Sequence, residues 1–119
     1  MRTISLIFSF IVFMLYGCAE VFEKSLTNEQ VELSAPANNL ISEESMQTFY
    51  WQRLEGAKSY QLQVVCPNFD SIVILIADTT IQTNVFPMNL DSGRYEWRVR
   101  AINASSSTPF SDPRQITIQ

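Results

Sequence analysis

The chain has 119 residues, 46% of them apolar, with eight basic side chains against twelve acidic ones and no histidine. Its length sets one domain as the expectation, and a net charge of −4 lacks the basic footprint of a nucleic-acid-binding surface. Without histidine the commonest general base and metal ligand is gone, and two cysteines are too few for a disulfide framework.

Residues 1–17 differ in kind from the rest. Arg2 is the only charge before Glu20, and Ile4 to Tyr16 carries none. A membrane-spanning helix needs about 20 apolar residues, so this run is short for one. A positive start, an apolar block of about 7–15 residues and a small residue at its end describe a secretory signal. An uncleaved short anchor and a buried core helix are the alternatives. The block closes with Leu15-Tyr16-Gly17-Cys18, which resembles the lipobox of bacterial lipoproteins. That resemblance implies a diacylglycerol on the Cys18 thiol, cleavage before it and acylation, as by palmitate, of the new amino terminus. It also implies residence in the bacterial cell envelope, at the outer membrane, facing the periplasm or the surface. Two or three acyl chains, at about 0.8 kcal/mol per buried methylene, hold a protein on a membrane far better than one. Lipid on Cys18 leaves Cys66 unpaired, to be read as a small buried hydrophobe. Cleavage also removes Arg2, so the mature chain carries seven basic and twelve acidic residues, a net −5.

Ala19 to Gln30 is polar, mixed in charge and without a sustained apolar stripe, and with Cys18 it reads as a tether over residues 18–30. From Val31 onward short runs of period two alternate with turn residues. Val31–Ser34 stops at Pro36. Gln47–Leu54 puts Phe49 and Trp51 on one face and Tyr50 and Gln52 on the other, and Glu55-Gly56-Ala57-Lys58 makes a turn. Ser59–Cys66 places Tyr60, Leu62, Val64 and Cys66 opposite Gln61, Gln63 and Val65. Ile72–Ile76 is apolar throughout, Asn84–Met88 is a weaker strand holding Pro87, Tyr95–Ala101 alternates best, and Gln115–Ile118 closes the chain. These seven strands over residues 31–119 predict an all-β fold, a seven-stranded antiparallel β-sandwich.

The residues Phe49-Tyr50-Trp51, Gly56-Ala57 with Tyr60, Leu62 and Val64, and Leu90, Gly93, Tyr95, Trp97, Val99, Ala101 and Asn103 in that spacing resemble a fibronectin type III domain. The resemblance implies that Trp51 lies in the core. It makes Tyr95 the tyrosine corner, its hydroxyl bonded back to the chain near the preceding turn. Many domains of this family are spacers or protein-binding modules, and some accompany carbohydrate-active enzymes; fold membership does not itself give function.

Catalytic machinery is not expected. Cys66 has no histidine to activate it, Glu43-Glu44 are neighbouring acids in a solvated loop, and no pair of opposed carboxylates suggests sugar hydrolysis. No metal site and no cofactor are implied. Binding is more open. If Tyr95, Trp97 and Val99 point inward, then Arg94, Glu96, Arg98 and Arg100 point outward, beside Gln61, Gln63 and Val65 on the third strand. Such a face could hydrogen-bond a protein partner or sugar hydroxyls; the plain alternative is a solvated face with Glu96 bridging its arginine neighbours. Tyr50 is the best candidate for a platform on which a sugar could stack, followed by Phe69 and Phe110. The run Ile72, Val73, Ile74, Leu75 and Ile76 is apolar on both faces, so at a sheet edge it invites pairing with another chain, unless residues 38–47 fold over it. Asp70-Ser71-Ile72 and Asp78-Thr79-Thr80 resemble the three-residue O-glycosylation sites of exported Bacteroidetes proteins. The expected function is a non-catalytic interaction or spacer module, lipid-anchored within an envelope assembly; the alternative is a surface carbohydrate-binding lipoprotein.

Overall fold

The computed structural model describes residues 23–119, so Cys18 and the expected signal segment lie outside the described residues. Eight strands follow in order: β1 (Leu33–Ala35), β2 (Leu40–Ser42), β3 (Met46–Trp51), β4 (Ser59–Pro67), β5 (Ile72–Ile81), β6 (Val85–Asn89), β7 (Gly93–Ile102) and β8 (Arg114–Ile118). They form a three-stranded sheet, β1-β3-β6, and a five-stranded sheet, β2-β8-β7-β4-β5. The expected all-β sandwich is present, but the strand count of seven and the purely antiparallel pairing need correction.

The extra strand is β2, which runs parallel to β8 with Leu40 opposite Ile116 and Ser42 opposite Ile118. It arises because the first strand splits. Pro36, which has no N–H to give a ladder, separates β1 on the small sheet from β2 on the large one. Asn39 turns the chain at φ 65°, a left-handed conformation asparagine tolerates. The Asn38 side-chain oxygen accepts from the Gln115 N–H at 2.9 Å, and the Asn39 N–H donates to the Gln115 carbonyl at 2.8 Å. Arg114 holds the crossing itself: its guanidinium donates to the carbonyls of Leu33 (2.7 Å), Ser34 (3.1 Å) and Pro36 (3.0 Å).

Between the sheets lies one core, dominated by Trp51, Trp97, Phe49 and Leu62, each at most 1% exposed. Phe49 meets Trp97 edge to face at 4.9 Å, and Trp51 meets Tyr60 at 5.8 Å. The indole N–H groups of Trp51 and Trp97 have no hydrogen-bond partner, a penalty of about 1–3 kcal/mol each that the aromatic burial must exceed. Trp51 is therefore in the core as the family resemblance implied. Tyr95 is 4% exposed and its hydroxyl donates to the Asp91 carbonyl at 2.7 Å, which forms the tyrosine corner.

Within the expected tether, the chain docks on the sandwich at Leu26, while its neighbours Ser25 and Thr27 stay exposed. Leu26 is fully buried in the core, and its N–H donates to the Ser106 hydroxyl at 3.0 Å. The Asn103 amide donates to the carbonyls of Lys24 (2.7 Å) and Gly56 (3.2 Å), while its oxygen accepts from the Ser106 N–H at 2.8 Å. Gly56, at φ 88°, makes the turn before β4; a Cβ there would lie 3.0 Å from the Lys24 Cβ. The chain thus enters the domain at the end of the sandwich where β4 begins and β7 finishes.

Leu26→Ala is expected to lower unfolding free energy by about 2–5 kcal/mol in urea titration, the range for an emptied core position; an unchanged midpoint would show this segment to be a tether after all. For Tyr95, burial foremost and then the charges of Cys66 and Asp91 raise the phenol above its ordinary value. The folded group therefore keeps a proton that the unfolded chain loses, so its contribution is complete below about pH 10 and declines as pH rises beyond that. Tyr95→Phe is expected to lose about 0.5–1.5 kcal/mol at neutral pH and to flatten the alkaline decline; an equally steep decline in the variant would refute the assignment.

Candidate functional site

The outward face of the large sheet is built by β7, β4 and β5. β4 and β7 are antiparallel with Gln61 opposite Arg100 and Gln63 opposite Arg98, as their alternation requires. Arg100 Nε donates to Gln61 Oε1 at 2.6 Å, and Arg98 Nε to Gln63 Oε1 at 2.9 Å. Both glutamines then donate from Nε2 to the Asp78 carboxylate on β5, at 2.7 Å from Gln61 and 3.4 Å from Gln63. One polar net therefore crosses three strands and links two guanidiniums to one carboxylate through amides. Among the described residues the ion pairs within 4.0 Å are all made by lysines: Lys24 with Glu29 and Glu55, and Lys58 with Glu23.

Two loop aromatics complete this face. Arg98 Cζ sits 4.0 Å from the Phe69 ring centre and 4.3 Å from that of Phe110, so its planar guanidinium lies between two rings, and Arg100 is 5.0 Å from Phe110. Phe110 is placed by Ser111, whose N–H donates to the Val99 carbonyl (2.8 Å) and whose hydroxyl accepts the Val99 N–H (3.1 Å). Phe69 is placed by its own N–H, which donates to Glu96 Oε1 at 2.8 Å. Glu96 therefore anchors the β4–β5 loop and does not bridge its arginine neighbours. The same fold-back explains Val65: it shares the outward face opposite Glu96, yet is fully buried.

The sequence-selected binding residues are thus only partly brought together. Gln61, Gln63, Glu96, Arg98 and Arg100 form one connected surface, Arg94 is exposed at its end, and Tyr50, 44% exposed, projects from β3 in the other sheet. Tyr50 cannot act with Gln61 and Arg98 on one ligand. Phe69 and Phe110, the other candidate platforms, already cover Arg98. The roles of Arg114, Asn103 and Ser111 went unread because each depends on partners more than ten residues away.

β5 behaves differently. It is the edge strand of the large sheet, beside β4 alone. Its first five residues are exposed: Ile72 51%, Val73 75%, Ile74 54%, Leu75 55% and Ile76 36%. Residues 38–47 do not cover them, since β2 is the opposite edge of the sheet. Val64 pairs with Ala77 but Val65 with Leu75, and Cys66 pairs with Ile74 but Pro67 with Ile72. Ile76 and Val73 are thus extra residues in two bulges, which turn apolar side chains to both faces of the strand. Cys66 is half-buried, a free thiol against the core.

Among solved structures the chain is similar to FN3tt, at 17% identity over 75% of this chain and 90% of that one with a TM-score of 0.49. It is also similar to a mutant of FN3tt, at 21% identity over 74% and 84% with a TM-score of 0.46. No family model matches the chain, and no curated protein does. The fold is an all-β sandwich of two sheets, with the tyrosine corner formed.

Arg98→Lys keeps the charge but loses the Nε bond to Gln63 and the planar stack. A stability loss of about 1–2 kcal/mol in urea is expected, against less than about 0.5 kcal/mol for Arg94→Lys. Equal, small effects at both positions would show that the stack is incidental.

Proposed function

We propose that this protein is a non-catalytic interaction module, held at a bacterial envelope membrane by lipid on Cys18. The observation that carries the reading is the edge of β5, where five apolar residues stand in solvent with no element folded over them among the described residues. Contiguous exposed apolar patches of this kind mark interaction surfaces. The polar face beside it is engaged within the domain: both arginine Nε groups, both glutamine amides and Asp78 bond one another, and the nearby rings stack on Arg98. That arrangement supports protein contact at the edge over sugar contact at the face. The lipobox-like Leu15–Cys18 supports the anchor, and Glu23 begins the described domain only five residues beyond Cys18, a reach of at most about 18 Å. The module would then stand close to its membrane, the chain entering at the end of the sandwich away from the β4–β5 turn.

The test is tagged full-length protein, fractionated and then captured from detergent-solubilised native membranes, with bound protein read by mass spectrometry. Wild type is expected in the membrane fraction and Cys18→Ser in the soluble extract. A stoichiometric partner, whether a foreign protein or an untagged copy, should be retained by wild type and Arg94→Glu and lost with Leu75→Lys. Recovery of the protein alone in every sample would leave a plain spacer and defeat the reading.

A further inference from the structure

Resting on that reading, we infer that the occupant of the β5 edge is β5 of a second copy, the two large sheets joining into one across a two-fold axis. The four sheet edges are not alike. β1 and β2 are three residues each, and β6, five residues, carries Pro87 at its centre. Short strands and proline are the ordinary means of blunting an edge against pairing. β5 has ten residues and neither proline, lysine nor arginine. Of the four it is the longest, and despite its two bulges it is blunted by neither shortness nor proline.

What would sit against it must be apolar on both faces, because the two bulges present Ile74 with Cys66 on one side and Ile72 and Leu75 on the other. β5 is itself such a strand, and a two-fold arrangement needs nothing more than a self-complementary patch. Charge agrees. From Ser71 to Ala77 the strand is uncharged, with Asp70 before it and Asp78 after, so two copies can meet strip to strip with the acids at the ends of the contact. An antiparallel pairing centred at Leu75 sets Asp78 against Ile72 and Asp70 against Thr80, avoiding like charges face to face. A lipid surface suits the strip less. The chain enters from its membrane side beside Asn103 and Gly56, and the nine residues of β4 carry the strip about 30 Å towards the opposite end.

The pair also closes. Once β5 is covered on both copies, the free edges of the joined sheet are the two three-residue β2 strands, which offer little to extend. A strip on the order of 500 Å² per copy, about 1,000 Å² in the pair, lies at the lower bound for specific interfaces, so the dimer should dissociate on dilution.

Sedimentation equilibrium of the full-length chain in density-matched detergent tests this, across about 1–500 μM protein. The protein mass is expected to rise from one chain to two and no further. Val73→Lys and Leu75→Lys should each weaken association at least about tenfold, while Ile41→Lys, on the opposite edge, should not. These positions are 75%, 55% and 62% exposed, so folding should survive, and unchanged urea midpoints would verify it. A dimer indifferent to both β5 lysines would overturn the inference. So would a monomer at every concentration. If that monomer still captured a foreign protein in the wild type but not in Leu75→Lys, the interaction-module reading would stand and only the choice of occupant would fall; without such capture both would fall.

Discussion

The uninterrupted alternation of β7 is the constraint on which the rest of this molecule depends. Tyr95, Trp97, Val99 and Ala101 point into the core and are at most 4% exposed, while Glu96, Arg98 and Arg100 point out. A slip of one residue would send Trp97 into water and Arg98 into the core, so burial alone fixes the register against β4. On its other side β8 reaches only from Gly93 to Trp97. Beyond that point the N–H groups of Val99 and Ala101 are taken up by the hydroxyls of Ser111 and Thr108. The connection to β8 must therefore run beside β7 before β8 begins, and this route brings Phe110 over Arg98. At the end of the strand Asn103 binds the incoming residues 24–26 region through the Lys24 carbonyl. Core, outer polar net and N-terminal docking all issue from this one strand.

A second constraint is the inequality of the sheets. Three strands cannot roof five, so the inward side of β5 near the β4–β5 turn has no opposing layer to fill it. Farther along, Ala77 and Ile81 still pack against the core, and the loss of cover begins where the ladder first slips, at Ile76. Bulges increase local twist, which carries the start of β5 away from the sandwich. The outward side of the same strand shows the opposite chemistry a few residues on: Asp78 collects the two glutamines and, through them, the two arginines. Along one strand the surface passes from apolar and open to polar and closed.

The elements legible in the sequence were those whose partners are encoded by alternation. Ser59–Cys66 and Tyr95–Ala101 fall inside β4 and β7, and Gln61 and Gln63 stand beside Arg100 and Arg98 as their phases require. Tyr95 was legible through the family resemblance that Leu90, Gly93 and Tyr95 help to carry. What escaped was whatever depends on distant pairing. Leu40-Ile41-Ser42 is too short to show a period, and it is a strand only because Gln115 captures Asn38 and Asn39. Leu26 looks isolated in a polar stretch, and its burial relies on Ser106, 80 residues later. The Arg98 stack needs two rings from loops 41 residues apart in number, Phe69 and Phe110. The apolar run 72–76 was visible, but its lack of alternation reflects bulges and open solvent, whereas a continuous apolar run ordinarily reads as a strand buried on both faces.

Folding physics does not account for that run. A side chain exposed in the unfolded chain and still half-exposed in the domain transfers little surface from water, so the hydrophobic term for Val73 at 75% exposure is small. Strand propensity explains branching at Cβ but not apolarity, because threonine satisfies it equally, and β5 itself uses Thr79 and Thr80 once the bulges are passed. Nor is the strip needed to hold the turn, which Asn68 caps by accepting the Ser71 N–H at 2.8 Å and Glu96 ties down through Phe69. With propensity, core burial and turn chemistry each met by other residues, nothing within the described domain accounts for five apolar side chains in a row at this exposed edge.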